Sequence, residues 1–267
     1  MTKSVIAAIQ LNSDDNINLN IDKIDFWVSK AKQQGASIVL LPENCAYMAQ
    51  VQGDSKKIAE PLGNGAVQSE FANIAKNNDI WLIVGAFPTI EDNLVYQTLL
   101  VYNHLGQLVE YYHKCHLFNV TLPDSEESYR ESDAFAYGKE YKVVDTPIGR
   151  IGLAICYDLR FPEQFRQLVD KGATSFVLPA AFTYHTGQAH WESLLRARAI
   201  ENQCYVIASA QVGKHPGGRK TWGHSCIIDS WGKVQSCLQN EEGLIVSDIN
   251  LETVTRERHV FPVLTHR

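Results

Sequence analysis

Two stretches of this chain align without a gap: Gly35 to Tyr47 (GASIVLLPENCAY) and Gly172 to Tyr184 (GATSFVLPAAFTY). Each follows a helical period and an earlier strand. Those strands are also alike, IAAIQ ending at Gln10 and IGLAIC ending at Cys156. Any two βαβ units share Gly, Ala and β-branched residues, but the common Leu-Pro and Tyr favour a duplicated half over coincidence. A right-handed βαβ unit brings the carboxyl ends of its strands to one edge, where ligands bind in open α/β sheets. Glu43, Cys156 and the Ala180 to Tyr184 segment are therefore expected to converge at one rim.

The remaining periodicity extends this α/β pattern. Strands are expected at Ser4 to Leu11, Ser37 to Leu41, Ile80 to Phe87, Asn93 to Asn103, Leu108 to Cys115, Tyr141 to Asp145, Arg150 to Ile155, Ser175 to Leu178, Cys204 to Ala210, His224 to Asp229 and Leu244 to Ile249. Helices are expected from Ile17 to a stop at Gly35, over Val67 to Lys76, over Phe161 to Asp170 with Pro162 in the first turn, and over Ala189 to Asn202. A polar loop spans Phe118 to Lys139. With no linker or shift in composition, residues 1–267 read as one domain.

Composition narrows the function classes. The chain has 24 Lys+Arg against 30 Asp+Glu and no basic run, so it lacks the electrostatic footprint of a nucleic-acid binder. No segment approaches the roughly 20 apolar residues of a membrane span, and the amino terminus lacks a signal h-region. A cytoplasmic protein is expected. Its six Cys contain no CxxC pair and should be free thiols in a reducing compartment.

Among those thiols Cys156 stands apart, because it ends an apolar strand about six residues before a helix. A strand-to-helix turn would expose the sulfur to backbone N–H groups that lower its pKa and bind an oxyanion. A strand-end Cys is more often a small buried hydrophobe, as Cys204, Cys226 and Cys237 illustrate. A thiol with an ordinary pKa of about 8.5 needs a base at neutral pH. Glu43 follows Leu-Leu-Pro at the end of a buried strand, where a carboxylate without function would be costly and where desolvation should raise its pKa. Its plainer role is to cap the following turn. Lys114, in EYYHKCHLF, could face an oxyanion, although a strand-end Lys is usually solvated. His113, Cys115 and His116 are too closely spaced, without a second cluster, to signal zinc. Papain-like, caspase-like and nucleotide-binding motifs are absent, and Gly217-Gly218 reads as a loop.

Together Leu-Pro-Glu43, His-Lys114-Cys-His-Leu-Phe, Tyr-Arg-Glu131-Ser and Ile-Cys156-Tyr-Asp-Leu-Arg-Phe-Pro-Glu resemble the nitrilase superfamily of carbon–nitrogen hydrolases, over nearly the whole chain. The resemblance implies a four-layer αββα sandwich. It also implies that Glu43 is the base, Lys114 the oxyanion stabiliser and Cys156 the nucleophile. Glu131 enters as a second carboxylate that orients Lys114 and substrate; spacing alone does not separate it from Glu126 and Glu127. A dimer or higher assembly is implied, joined through the helices after Cys156 and before the Cys204 strand.

RFPE, AHWESLLRARAIENQCY, Gly223-His-Ser and Asp-Ser-Trp231-Gly are most similar to the deaminated-glutathione amidase branch, and omega-amidases share much of this. That similarity implies that Arg160 binds a substrate carboxylate, with Phe182 and Thr186 lining the pocket. An Arg four residues beyond the nucleophile could pair bidentately with a carboxylate, or form a bridge to Asp158 or Glu163. The expected reaction is amide hydrolysis through a thioester, with the Tyr157 backbone N–H assisting Lys114 and no metal or organic cofactor required. The expected substrate is a small amide carrying a carboxylate. Deaminated glutathione comes first, with an omega-amidase substrate as the alternative; a true nitrilase or a catalytically idle interaction protein stand further off.

Overall fold

The computed structural model describes residues 4–121 and 128–266. Its first half runs β1 (Ser4–Gln10), α1 (Ile17–Gln33), β2 (Ile38–Leu40), β3 (Glu60–Pro61), α2 (Ala66–Asn77), β4 (Trp81–Glu91), β5 (Leu94–Tyr102) and β6 (Leu108–His113). A short hairpin, β7 (Asn119–Thr121) and β8 (Ser128–Arg130), leads onward from it. The second half runs β9 (Val143–Thr146), β10 (Gly149–Leu153), α3 (Pro162–Asp170), β11 (Ser175–Ala180), α4 (Tyr184–Asn202) and β12 (Tyr205–Ala210). It continues through the hairpin β13 (Val212–Lys214) and β14 (Lys220–Trp222) to β15 (Cys226–Ile228) and β16 (Val234–Cys237). The described chain closes with β17 (Gly243–Ile249) and α5 (Leu251–Val260).

The strands form two principal sheets, in the orders β17-β1-β2-β4-β5-β6 and β16-β15-β12-β11-β10-β9. Each has three parallel central strands, then two antiparallel ones, and an antiparallel strand on the other side. Read by register, the repeat is a true structural duplication. Ile6 sits beside Ile38 in the first sheet as Ile151 sits beside Ser175 in the second. The same spacing makes β4 the counterpart of β12 and β5 that of β15.

One core joins inward residues of both sheets, including Ile6, Leu40, Ile83, Leu153, Val177 and Ile207. The other face of the first sheet packs on α1 and α2 through Ile24, Val28, Phe71 and Ile74. Likewise, Phe165 and Leu168 of α3 and Leu195 and Ala199 of α4 are buried on the second half. Helix, sheet, sheet and helix thus give the expected αββα sandwich. Both helices of the aligned segments end the same way, with Gly35 at φ +85° and Gly172 at φ +89°, a left-handed turn that disfavours a side chain.

Several elements differ from the sequence expectation. Helix α4 starts at Tyr184 instead of Ala189 and contains Gly187, because Trp222 packs so close that a Cβ there would lie 2.2 Å from it. The Phe118 to Lys139 segment contains β7 and β8 within its described part. Strand β16 and helix α5 carry weak apolar periods, since α5 buries only Val254 and β16 buries no residue fully. No helix among the described residues is long and apolar enough to cross a membrane.

Candidate active site

The expected rim exists, and both halves build it. Glu43 lies three residues past β2, and its Oε2 accepts the Ala181 N–H at 2.8 Å from the end of β11. The two Leu-Pro pairs meet over Gly85, where a Cβ would lie 2.4 Å from Pro179 and 2.5 Å from the Leu41 carbonyl oxygen. The shared Leu-Pro therefore marks the place where the two sheets bring their strand ends together.

Lys114 follows β6 directly and is buried. Its ammonium donates to Glu43 Oε1 at 3.0 Å and to both Glu131 oxygens at 2.9 and 3.0 Å. Glu131 opens a short 3-10 turn and also accepts the Phe118 N–H at 2.6 Å. Glu126 and Glu127, which spacing could not separate from Glu131, lie outside the described residues.

Cys156 begins the 3-10 segment Cys156–Arg160 with φ +45°, a left-handed conformation that is strained for a residue bearing a Cβ. Asp158, wholly buried, holds this turn. Its carboxylate accepts from the Ile155 N–H at 2.8 Å, the Tyr112 hydroxyl at 2.8 Å and the His116 N–H at 3.1 Å, and it contacts His116 Nδ1 at 2.7 Å. The histidines flanking Lys114 are thus committed to structure: His116 to Asp158, and His113 to Thr98 and Glu91.

Two electrostatic expectations are corrected. Cys156 is buried, not exposed. Desolvation together with the adjacent Glu43 charge pushes its pKa well above the ordinary thiol value, outweighing Lys114 and the backbone N–H groups. Burial pushes Glu43 upward, but Lys114, a hydrogen bond from the Cys156 thiol and the charge of Arg219 together hold it below the usual carboxylate range. Glu131 is raised, with burial and repulsion from Glu43 exceeding the pull of Lys114. The arrangement is a thiol that keeps its proton beside a carboxylate able to take it, with an ammonium alongside.

These four side chains line one cavity of about 390 Å³. Tyr157, Phe182 and Thr186 also line it. Arg160 does not. Its guanidinium lies 5.2 Å over the Phe182 ring and 5.9 Å over that of Tyr157, 3.3 Å from His190 Nδ1. It forms no ion pair with Asp158 or Glu163 either. Arg219, from the β13–β14 hairpin, does line the cavity; sequence reasoning overlooked it because only tertiary folding brings that loop to the rim. Asp158 was visible only as an Asp in a turn, a common capping signal. No other buried thiol has a carboxylate base hydrogen-bonded to it: Cys45 meets backbone, Cys204 the Arg258 guanidinium and Cys226 the Cys237 thiol, and burial pushes Cys45 and Cys204 up to about 12.

The comparisons agree with this architecture. The family model described as "Carbon-nitrogen hydrolase" matches residues 5–259. A "Deaminated glutathione amidase" of Yersinia enterocolitica is 39% identical over 271 residues, covering all of this chain and 93% of the relative. One of Dictyostelium discoideum is also 39% identical, covering 97% of this chain and 91% of its own length. The C. elegans NitFhit crystal structure superposes with a TM-score of 0.90 at 33% identity, over 99% of this chain and 65% of that one. Saccharomyces cerevisiae Nit3, a nitrilase-superfamily member, superposes with a TM-score of 0.86 at 27% identity over 97% of this chain and 94% of its own. With a family match over nearly all of its length, and relatives of this identity spanned almost end to end, the chain belongs to the carbon–nitrogen hydrolase family.

Proposed function

We propose that this amidase hydrolyses deaminated glutathione to 2-oxoglutarate and cysteinylglycine through a thioester on Cys156. The observation that carries the chemistry is the buried Lys114 ammonium, held between Glu43 and Glu131, beside a thiol hydrogen-bonded to Glu43. The choice of substrate draws on the names of the relatives.

Glu43 takes the Cys156 proton as sulfur attacks the amide carbon. Lys114 and the Tyr157 N–H stabilise the resulting oxyanion. As the C–N bond breaks, Glu43 returns that proton to the departing amine, leaving a thioester. Water then attacks the thioester with Glu43 as base, the C–S bond breaks, and the thiol and a free carboxylate are regenerated. Glu131 orients Lys114 throughout. Tyr157, Phe182 and Thr186 enclose the acyl portion, and Arg160, stacked over the Phe182 and Tyr157 rings, positions these walls.

The working form is a homodimer in a reducing, cytoplasmic compartment. Supporting the dimer, Ile200 of α4 is exposed next to Gly232, and neighbouring Trp231 and Phe261 are exposed in edge contact with ring centroids 5.7 Å apart. Incubation with deaminated glutathione should release 2-oxoglutarate, with 2-oxoglutaramate compared as kcat/KM in the same assay. No release from the first compound, or a clear preference for the second, would overturn the substrate assignment.

A further inference from the structure

The cavity wall carries two cations, and they differ in one respect. Lys114 is charge-paired with Glu43 and Glu131. Arg219 has no ion-pair partner among the described residues. Its Nη2 donates to the Ala181 carbonyl at 2.6 Å, its guanidinium lies 5.7 Å over the Tyr129 ring, and its Nε is buried without an acceptor. A guanidinium has five N–H donors in a rigid fork, and a buried donor left unpaired is costly. The position is nevertheless firmly built. The His215 N–H donates to the Arg219 carbonyl at 2.8 Å, and the His215 ring is fixed between the Ser13 carbonyl and the Thr221 hydroxyl. Gly217 packs so closely on the Gln50 carbonyl that a Cβ would lie 2.0 Å from its oxygen. A firmly held loop thus places on the cavity wall a cation without an ion-pair partner among the described residues.

We propose that Arg219 binds a carboxylate at the far end of the leaving group, making this a hydrolase of amides whose departing amine is a short acidic peptide. The proposal rests on the amidase mechanism above. In that mechanism Glu43 protonates the departing amine, so the leaving group lies on the Glu43 side of Cys156. Arg219 is the wall cation on that side, joined to Glu43 through Ala181, whose carbonyl it holds and whose N–H donates to Glu43. A carboxylate meeting its terminal nitrogens from the cavity would supply the counter-charge that the guanidinium lacks.

The test compares two peptides, 2-oxoglutaryl-cysteinylglycine and its carboxy-terminal amide. The wild-type protein should favour the acid in kcat/KM by about 10- to 100-fold, mostly through KM, the range for hydrogen bonds to a charged group. In Arg219→Gln that ratio should fall toward one, with Arg219→Lys between. If Arg219 only buttresses Ala181, both peptides slow equally and the ratio survives, which overturns the proposal. A wild-type ratio near one overturns it as well. If the wild type cleaves neither peptide, the proposed substrate falls and takes this subsite with it. A measurement that needs no variant is inhibition of the wild type by cysteinylglycine and by cysteinylglycinamide; equal inhibition would also refute the assignment.

Discussion

The two halves share a backbone plan and divide one active site between them. Aligning the sheets through their registers makes Glu43 the counterpart of Ala180, and Cys156 the counterpart of Leu11. The first half thus keeps the base and an inert Leu, and the second keeps the nucleophile and an inert Ala. Neither half alone can ionise a thiol. The Ala181 N–H bond to Glu43 is the point where the divided parts touch. The comparison teaches that the duplicated scaffold supplies converging strand ends, while chemistry depends on which half carries which side chain.

The sharpest way to break this division is to make the second half as inert as the first. Cys156→Ala should lower turnover by at least about 10³-fold, because the thioester route is lost. Single-turnover assays with deaminated glutathione would read this; near-normal turnover would remove the covalent mechanism.

Giving the first half the residue found in the second is the next largest change. Glu43→Ala should reduce kcat by about 10²- to 10⁴-fold, the usual contribution of general-base catalysis. A pH profile sharpens it. With Glu43 held below the usual carboxylate range, the base remains ionised as pH falls toward the ordinary Glu value of about 4.3, and kcat/KM should drop only below that. The acid limb should persist in Glu131→Gln, whose rate is lower but whose Glu43 remains. A limb that disappears in Glu131→Gln would assign it to Glu131.

The turn that carries Cys156 has no equivalent in the first half, and it needs Asp158 to exist. Asp158→Asn leaves a buried amide facing three donors where a carboxylate accepted them. It should destabilise the protein by about 2–4 kcal/mol in urea unfolding and lower kcat as well. Unchanged stability would mean that the φ +45° conformation at Cys156 is held by packing alone.

Much of this was legible in the sequence, for physical reasons that also mark its limits. Strand and helix periods reflect burial on sheet faces, so β1, β2, β10 and β11 were visible, and their aligned ends located Glu43 and Cys156. Helix α5, with one buried residue, carries no comparable signal. The direction of the Glu43 shift was misread because burial is implied by local apolar sequence, whereas Lys114, 71 residues away, is brought against it only by the fold. Arg219 escaped for the same reason. Its loop is polar and glycine-rich, and its value as a cation depends on Ala181 and Tyr129, which belong to other elements.

The smallest effect tests whether burial alone could explain Cys156. Cys45 lies two residues past Glu43, is as deeply buried, and is pushed up to about 12 by desolvation, with the Gly85 carbonyl as its hydrogen-bond partner. It does not line the cavity and contacts no ionisable base. Cys45→Ala should therefore cost about 1–2 kcal/mol of stability through lost packing and leave kcat/KM within about twofold of wild type, as expected for a thiol outside the chemistry. Mapped by peptide, a thiol-directed alkylating amide should modify residue 156 in the wild type and in Cys45→Ala alike, and in Cys156→Ala only other thiols such as the exposed Cys237 should take it up. Labelling that followed Cys45 instead would show that the Glu43–Lys114 pair does not select the reactive sulfur.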